Sequence, residues 1–166
     1  TVRVAGVDIG GLGDRALSAL RAWRIGFVFQ QFHLLNGLTA VDNVASGLLY
    51  RGVPAPRRRR RAADSLERVG LGHRLRHRPH QMSGGERQRA AIARAIVGEP
   101  AIVLADEPTG NLDSVTGAEV LDVFRTLHAS GTTIVVITHD HQIATSMPRR
   151  IALRDGRVES DEGVAA

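Results

Sequence analysis

The sequence predicts an α/β fold in which a parallel sheet is interrupted by helices. Segments 25–29, 101–105 and 132–138 are compact apolar runs rich in strand-forming residues. Stretches with helical periodicity lie between them, and this alternation is typical of a parallel sheet covered by helices. A long helical stretch, about residues 36–97, separates the first two strands. It predicts a helical subdomain inserted into an α/β core.

The first elements are a short strand, a helix and a longer strand. Residues 2–4 alternate between apolar and charged side chains, which favours a short strand. Leu17, Leu20 and Trp23 recur at helical steps and predict a helix before the strand at 25–29.

Three helices are predicted in the inserted block. Thr39 is expected to cap a helix that runs to residue 49. The prolines at 54 and 56 predict a loop before the basic run 57–61, and apolar residues at helical steps predict a helix over 62–69. Residues 83–97 then form the last helix of the block.

The remaining elements follow the strand at 101–105, which we expect to be buried. Residues 114–129 carry apolar side chains at helical steps and end at Gly131. Residues 132–138 form the strongest strand of the chain. Asp155 and Gly156, flanked by apolar residues, predict a hairpin turn.

Composition favours one domain and excludes several classes of protein. A chain of 166 residues with 43% hydrophobic content can bury one core, so we expect a single domain over 1–166. The absence of cysteine excludes a disulfide framework and thiolate metal sites. No apolar run approaches the ~20 residues that cross a bilayer. We therefore expect a soluble, cytoplasmic protein.

The net charge of +5 comes entirely from arginine, since the sequence contains no lysine. Five of these arginines form the run 57–61, which could contact nucleic acid or anionic headgroups. Only 4% of the residues are aromatic, and none is interleaved with the run as a base-stacking site requires. We interpret the run as a solvated helix start and expect no nucleic-acid partner.

A glycine-rich turn opens the helix predicted at 83–97. Ser83 and Glu86 have the spacing of a capping box. Gly84 and Gly85 leave backbone amides uncovered at the helix start, where the helix dipole favours an anion. Alone, the serine and glutamate would indicate an ordinary capped helix. The continuation through Gln88 favours a phosphate-facing surface.

Two adjacent carboxylates follow the strand at 101–105. Asp106 and Glu107 lie where ligands bind in open α/β sheets, at the carboxyl end of a strand. Asp106 is placed to hold Mg²⁺, directly or through water, and Glu107 to polarise a water that attacks a γ-phosphate. The alternative is a solvated acidic pair, which the following segment 108–113 disfavours.

Together, segments 82–89 and 102–107 resemble the signature motif and Walker B strand of ATP-binding-cassette (ABC) ATPases, and segments 90–95 and 108–113 continue the match. The resemblance implies a P-loop NTPase-like fold, ATP and Mg²⁺ as cofactors, and a second ABC domain stacked head to tail. It also implies a transmembrane permease that holds the protein on the inner face of the membrane. Segments 25–30, 32–35 and 104–114 are similar to the group that serves lipoprotein release and macrolide export.

The resemblance assigns roles to further residues. Gln30 corresponds to the Q-loop glutamine, which contacts the metal or the attacking water, although Gln31 is a competing assignment. His139 corresponds to the switch histidine that contacts the γ-phosphate, and Asp113 to the D-loop aspartate that crosses the dimer interface. In the signature motif the usual fifth residue is glutamine, so Glu86 is a departure that weakens attraction for phosphate.

The sequence contains no G-x-x-x-x-G-K-[ST] phosphate loop, and residues 10–15 lack its spacing. We therefore expect an N-terminally incomplete domain that exposes apolar surface and, alone, binds ATP poorly and hydrolyses it negligibly. Either it is part of a longer transport ATPase, or it lends its signature motif to a partner's site as an inactive cassette. An ABC ATPase acting on nucleic acid is a further alternative, which the absence of long heptad repeats disfavours.

Overall fold

The computed structural model describes residues 1–163, and the chain forms two compact units, 1–136 and 137–166. The first unit contains, in order, β1 (Arg3–Val4), β2 (Val7–Asp8), α1 (Asp14–Arg24), β3 (Ile25–Val28), α2 (Ala40–Ala45), α3 (Ala55–Arg68), α4 (Gly84–Ile96), β4 (Ile102–Asp106), α5 (Ser114–Ala129) and most of β5 (Thr133–Ile137). Three 3₁₀ segments, Ser46–Arg51, Gly72–Arg74 and Pro79–Gln81, connect the helices. The expected single domain with a helical subdomain at 36–97 stays a prediction.

The central sheet has the order β3-β4-β5, and β3 pairs with β4 in parallel, Ile25 opposite Ile102 and Val28 opposite Ala105. Helix α4 covers one face so closely that a Cβ on Gly26 would lie 2.5 Å from the carbonyl oxygen of Ala95. The close approach explains why glycine occupies this strand position.

The other face of the sheet is open among the described residues. Phe27 and Phe29 are 38% and 40% exposed, and their rings stack with centroids 5.9 Å apart. In β4, Val103 and Ala105 are buried, whereas Ile102 and Leu104 are only half-buried. The expectation that strand 101–105 is buried is therefore met on one face, because an apolar run does not reveal how many faces are covered.

The helical block surrounds a core formed by Leu48, Leu66, Leu71 and Ile92, all fully buried. Thr39 caps α2 as predicted, with its hydroxyl accepting from the Asp42 amide at 3.3 Å. Helix α3 begins at Ala55, earlier than the sequence indicated. Proline is tolerated in the first turn of a helix because that turn's amides have no intrahelical acceptor, so the predicted loop was wrong there.

The basic run 57–61 thus lies inside α3. Arg57, Arg59 and Arg60 are exposed, in agreement with a solvated run, and Arg59 forms an ion pair with Asp42 at 2.7 Å.

Arg51 joins three parts of the first unit. Its guanidinium lies 5.2 Å from the ring centroid of Trp23, a cation–π contact. Its Nε donates to the carbonyl oxygen of Ala22 at 2.7 Å, and its Nη1 donates to that of Gly98. The end of α1 is therefore fixed to the turn that follows α4.

The second unit contains α6 (His141–Thr145) and an antiparallel pair, β6 (Arg149–Arg154) and β7 (Arg157–Gly163). The turn is at Asp155 and Gly156, with φ values of 49° and 74°, which confirms the predicted hairpin. Among residues 1–163, no helix has the length and hydropathy of a membrane span.

Candidate functional site

The turn before α4 is the predicted capping box. The Ser83 hydroxyl accepts from the Glu86 amide at 3.1 Å, and the Glu86 carboxylate accepts from the Ser83 amide at 2.8 Å. These reciprocal bonds satisfy two amides and fix the direction in which the helix begins.

Gly84 and Gly85 allow this turn to approach the chain that follows β4. A Cβ on Gly85 would lie 2.4 Å from Thr116 Cγ2 in α5, and a Cβ on Gly84 would lie 3.1 Å from Leu112 Cδ2. The two glycines therefore have a packing role besides the anion-facing role that the sequence indicated.

Glu86 forms an ion pair that the sequence did not reveal. Arg74 Nε lies 2.8 Å from Glu86 Oε1, and Arg74 Nη1 lies 3.0 Å from Nε2 of His77. Burial raises the pKa of Glu86, but the Ser83 amide, Arg74 and Arg89 outweigh it and hold the pKa below its usual value. Glu86 is therefore ionised at neutral pH with a cation against it.

Asp106 and Glu107 lie at the end of β4 as predicted. Asp106 is the exposed last residue of the strand, and Glu107 is half-buried with a φ of 43°. A positive φ is uncommon outside glycine and frequent at functional sites. It turns the chain sharply, so that the Gly110 amide donates back to the Glu107 carbonyl at 3.1 Å and Pro108 is buried.

Gln30 lies beside the loop that follows these carboxylates. Its Nε2 donates to Asn111 Oδ1 at 3.3 Å, and Asn111 Nδ2 donates to the Gln30 carbonyl at 3.0 Å. Between them, Gly110 leaves so little room that a Cβ would lie 2.7 Å from Gln30 Nε2. Since its Nε2 faces Asn111, the side chain of Gln30 retains Oε1 as a possible metal ligand.

The oxygen donors at this edge of the sheet fit Mg²⁺, which takes one or two carboxylates and completes its octahedron with waters and phosphates. Asp106 would hold the ion, with Gln30 Oε1 as the second donor. Within residues 1–163, no group of three or more histidines and carboxylates could bind a metal by itself. Waters or phosphate oxygens would supply the remaining ligands of such a site.

Gln88 connects α4 to the two segments that follow β3 and β4. Its side chain is fully buried, and Nε2 donates to the carbonyl oxygens of Pro108 at 2.6 Å and Phe29 at 3.4 Å. Among the described residues, no partner reaches Gln88 Oε1. A glutamine on the apolar face of a helix is the sequence signal that could have identified this link.

Arg94, two turns further along α4, holds the chain just after Gln30. Its guanidinium donates to the carbonyl oxygens of Phe32 at 2.9 Å and His33 at 2.5 Å. Periodicity and local spacing do not predict these bonds, which form between residues about 60 positions apart.

Asp113 is exposed and caps α5. Its carboxylate accepts from the Thr116 amide at 3.0 Å and from the Thr116 hydroxyl at 2.7 Å. The Thr116 amide and then its hydroxyl lower the pKa of Asp113. The predicted role at a dimer interface stays a prediction.

His139 belongs to the second unit, where it is exposed and follows β5. The next residue, Asp140, caps α6 by accepting from the Gln142 amide at 2.7 Å. The predicted contact of His139 with a γ-phosphate stays a prediction.

Comparisons with known proteins identify the family of the chain. The family model described as ABC transporter matches residues 2–110. The chain therefore belongs to the ABC transporter ATP-binding family, and the fold predicted from the sequence is confirmed.

Two relatives illustrate the match. An uncharacterized ABC transporter ATP-binding protein of Thermotoga maritima is 51% identical over 161 residues, which are 97% of this chain and 69% of that protein. The macrolide export ATP-binding/permease protein MacB 1/2 of Paracoccus denitrificans is 48% identical over 164 residues, which are 99% of this chain and 25% of that protein. The chain thus spans a quarter of this MacB relative.

A solved structure has the same fold. The ATP-binding cassette MJ0796, in a dimeric post-hydrolysis state bound to ADP and Pi, superposes with a TM-score of 0.81 at 40% identity. The match covers 98% of this chain and 72% of that chain.

Proposed function

We propose that this chain supplies the signature turn, residues 83–86, and the metal-binding carboxylate of Asp106 to an ATP-binding subunit of an ABC transporter. The observation that carries the proposal is the reciprocal hydrogen bonding between Gln30 and Asn111, which keeps the end of β3 beside the loop after Asp106 and Glu107. Gln88 ties the same loop to the helix that begins at Ser83.

The residues at the sheet edge divide the chemistry of ATP hydrolysis between them. Where a phosphate loop fixes ATP beside this edge, Asp106 and Gln30 Oε1 would hold Mg²⁺, which would supply positive charge to the phosphates. Glu107 would accept the proton of the attacking water as its oxygen bonds to the γ-phosphorus and the bond to ADP breaks. By its resemblance to the switch histidine, His139 of the second unit is the proposed contact for a γ-phosphate.

The signature turn acts on a different nucleotide. In a head-to-tail pair, the first-turn amides of the half-buried Gly84 and the buried Gly85 face an ATP that is held by the partner's phosphate loop. Asp113 crosses the same interface. The MJ0796 cassette is dimeric and bound to ADP and Pi, which supports both the pairing and the nucleotide.

The 166 residues alone are proposed to hydrolyse ATP negligibly. Phosphate-loop amides and a lysine hold the β- and γ-phosphates in P-loop NTPases, and this sequence contains neither the motif nor a lysine. Asp106 and Glu107 then have no fixed phosphate to act upon.

A transmembrane permease of the MacB kind is the proposed partner, with this chain on the cytoplasmic side of the membrane. The name of the Paracoccus denitrificans relative joins an ATP-binding part and a permease in one macrolide exporter, which supports this assignment.

Complementation in trans tests the proposal. An MJ0796 cassette whose own signature serine has been replaced is mixed with this chain, and ATP hydrolysis is measured. We expect the chain to restore hydrolysis, because its signature turn completes the site that contains the partner's phosphate loop. Failure of the chain to restore any hydrolysis would overturn the proposed pairing.

Two matched variants assign the effect to the signature turn. Gly84→Asp adds a carboxylate that a helix N-terminus tolerates but a γ-phosphate does not, so restoration should be lost. Gly84→Asn is its neutral isostere and carries the same crowding against Leu112, so it should restore more hydrolysis than Gly84→Asp, and the difference measures the charge. Glu107→Gln should also restore hydrolysis, since Glu107 faces this chain's own site and not the partner's.

A further inference from the structure

The carboxylate of Glu86 lies in the turn that faces phosphate in the proposed function. One oxygen accepts from the Ser83 amide at 2.8 Å, and the other is 2.8 Å from Arg74 Nε. The Glu86 side chain is largely buried, with 13% exposed, whereas Arg74 is half-buried, with 34% exposed. The two hydrogen bonds hold the Glu86 carboxylate between the Ser83 amide and Arg74.

An ionised carboxylate in this turn opposes the binding of a second anion. The uncovered amides of the first helical turn carry about half of one positive charge, and Glu86 offsets that charge within the same turn. A phosphate approaching Gly84 and Gly85 would meet this negative charge at close range. Glutamine, the usual residue of the signature motif, carries no charge and can still accept from the Ser83 amide through its Oε1.

Arg74, which lies outside α4, supplies a positive charge that offsets the carboxylate of Glu86. It lies in the 3₁₀ segment Gly72–Arg74, and its second nitrogen contact, Nη1 to His77 Nε2 at 3.0 Å, holds the guanidinium in place. Arg89, one turn along α4, adds a weaker attraction and is itself paired with Glu119 at 3.2 Å. Arg74 is the cation in direct contact with the Glu86 carboxylate.

We propose that Arg74 is a positioning residue for phosphate binding: it neutralises Glu86 and holds it in the capping box, so that the turn accepts a nucleotide phosphate despite the carboxylate. The proposal deepens the proposed function and rests on it. Arg74 is thereby the residue that makes glutamate acceptable at the fifth signature position.

A double-mutant cycle separates this role from a purely structural one. Arg74→Gln should weaken phosphate binding about threefold to fivefold, the usual size of an uncompensated charge at a helix end. Glu86→Gln alone should bind at least as well as the parent chain. The pair Arg74→Gln with Glu86→Gln should return to the parent affinity, because the charge to be neutralised is gone. Arg74→Lys keeps the positive charge and should retain binding.

The probe is inorganic phosphate, titrated into the isolated chain at up to tens of millimolar, with the amide resonances of Gly84 and Gly85 followed by NMR. This readout needs no partner cassette. It therefore tests Arg74 even if complementation of MJ0796 fails and the proposed pairing is wrong. Unshifted resonances of the Asp113–Thr116 cap show that each variant is folded.

Two results would overturn the inference. One is a doubly substituted chain that binds phosphate as weakly as Arg74→Gln, since a charge effect must disappear with the charge. The other is a parent chain whose Gly84 and Gly85 amides do not respond to phosphate at all.

Discussion

Gln88 Nε2 lies 2.6 Å from the carbonyl oxygen of Pro108, a residue twenty positions further along the chain. This hydrogen bond joins the helix that begins at the signature turn to the residue that follows Glu107. A displacement of either segment must therefore break a buried bond or move the other segment with it.

Replacing Gln88 tests the strength of this link. Gln88→Met keeps the length of the side chain but leaves the buried carbonyl of Pro108 without its donor, so the free energy of unfolding should fall by about 1–3 kcal/mol. Gln88→Glu should cost more, because burying a carboxylate against a carbonyl adds repulsion and desolvation. Urea denaturation at pH 7 measures both. Gln31→Met makes a similar change at an exposed position and is the control. Equal stabilities of all three variants would contradict the prediction.

The contact of Gly85 with Thr116 predicts a steric effect. Gly85→Ala would place Cβ 2.4 Å from Thr116 Cγ2, which forces α4 and α5 apart and should destabilise the chain by about 1–3 kcal/mol. Thr116→Ser removes the methyl group and keeps the hydroxyl that bonds to Asp113. Adding it to Gly85→Ala should therefore recover most of the loss. Thermal unfolding measures the stability of the single and double variants. If the double variant is no more stable than Gly85→Ala, the strain does not lie at the contact with Thr116.

Asn43 predicts an effect on the order of the chain after Gln30. The side chain is fully buried, accepts from the Leu35 amide at 2.7 Å and donates to three carbonyls, those of Leu35, Leu38 and Thr39. Asn43→Asp removes the donor and leaves an unpaired buried charge, which should cost about 3–5 kcal/mol. Hydrogen exchange at the Leu35 amide should quicken. Asn36→Asp, at an exposed position, is the control and should leave exchange unchanged.

The cap at Asp113 predicts a pH dependence of stability. The bonds from Thr116 lower its pKa below the ordinary value of 3.8, so its contribution is present above pH 3.8 and is lost as pH falls through the lowered value. Asp113→Asn caps without titrating, so its loss of stability below pH 3.8 should be smaller than that of the parent chain. Thermal unfolding between pH 2 and pH 5 compares the two, and parallel curves would refute the assignment.

Features that depend on neighbouring residues were the ones that the sequence could predict. Helix α5 has the predicted bounds, and the capping box at Ser83 is confirmed, because both follow from local spacing and side-chain chemistry. The start of α3 was missed because a proline in the first turn is compatible with a helix as well as with a loop.

Contacts between distant segments were not predictable in the same way. The ion pair of Arg74 with Glu86 and the bonds of Gln88 depend on how separate elements pack, which periodicity does not specify. Likewise, the apolar run at β4 revealed a strand but not that Leu104 would lie on an open face. The roles of the signature turn and the carboxylates came from motif resemblance rather than from these contacts.

Trp23 is the one tryptophan in the sequence, and it lies under the guanidinium of Arg51 at the junction of α1 with the turn after α4. Its intrinsic fluorescence is therefore a single-site optical reporter of that junction, because no second tryptophan contributes to the emission. A half-exposed indole, here 51% accessible, shifts its emission to the red when its cover is lost. The chain thus carries its own spectroscopic label, and opening of the junction between α1 and α4 can be followed in real time without chemical modification.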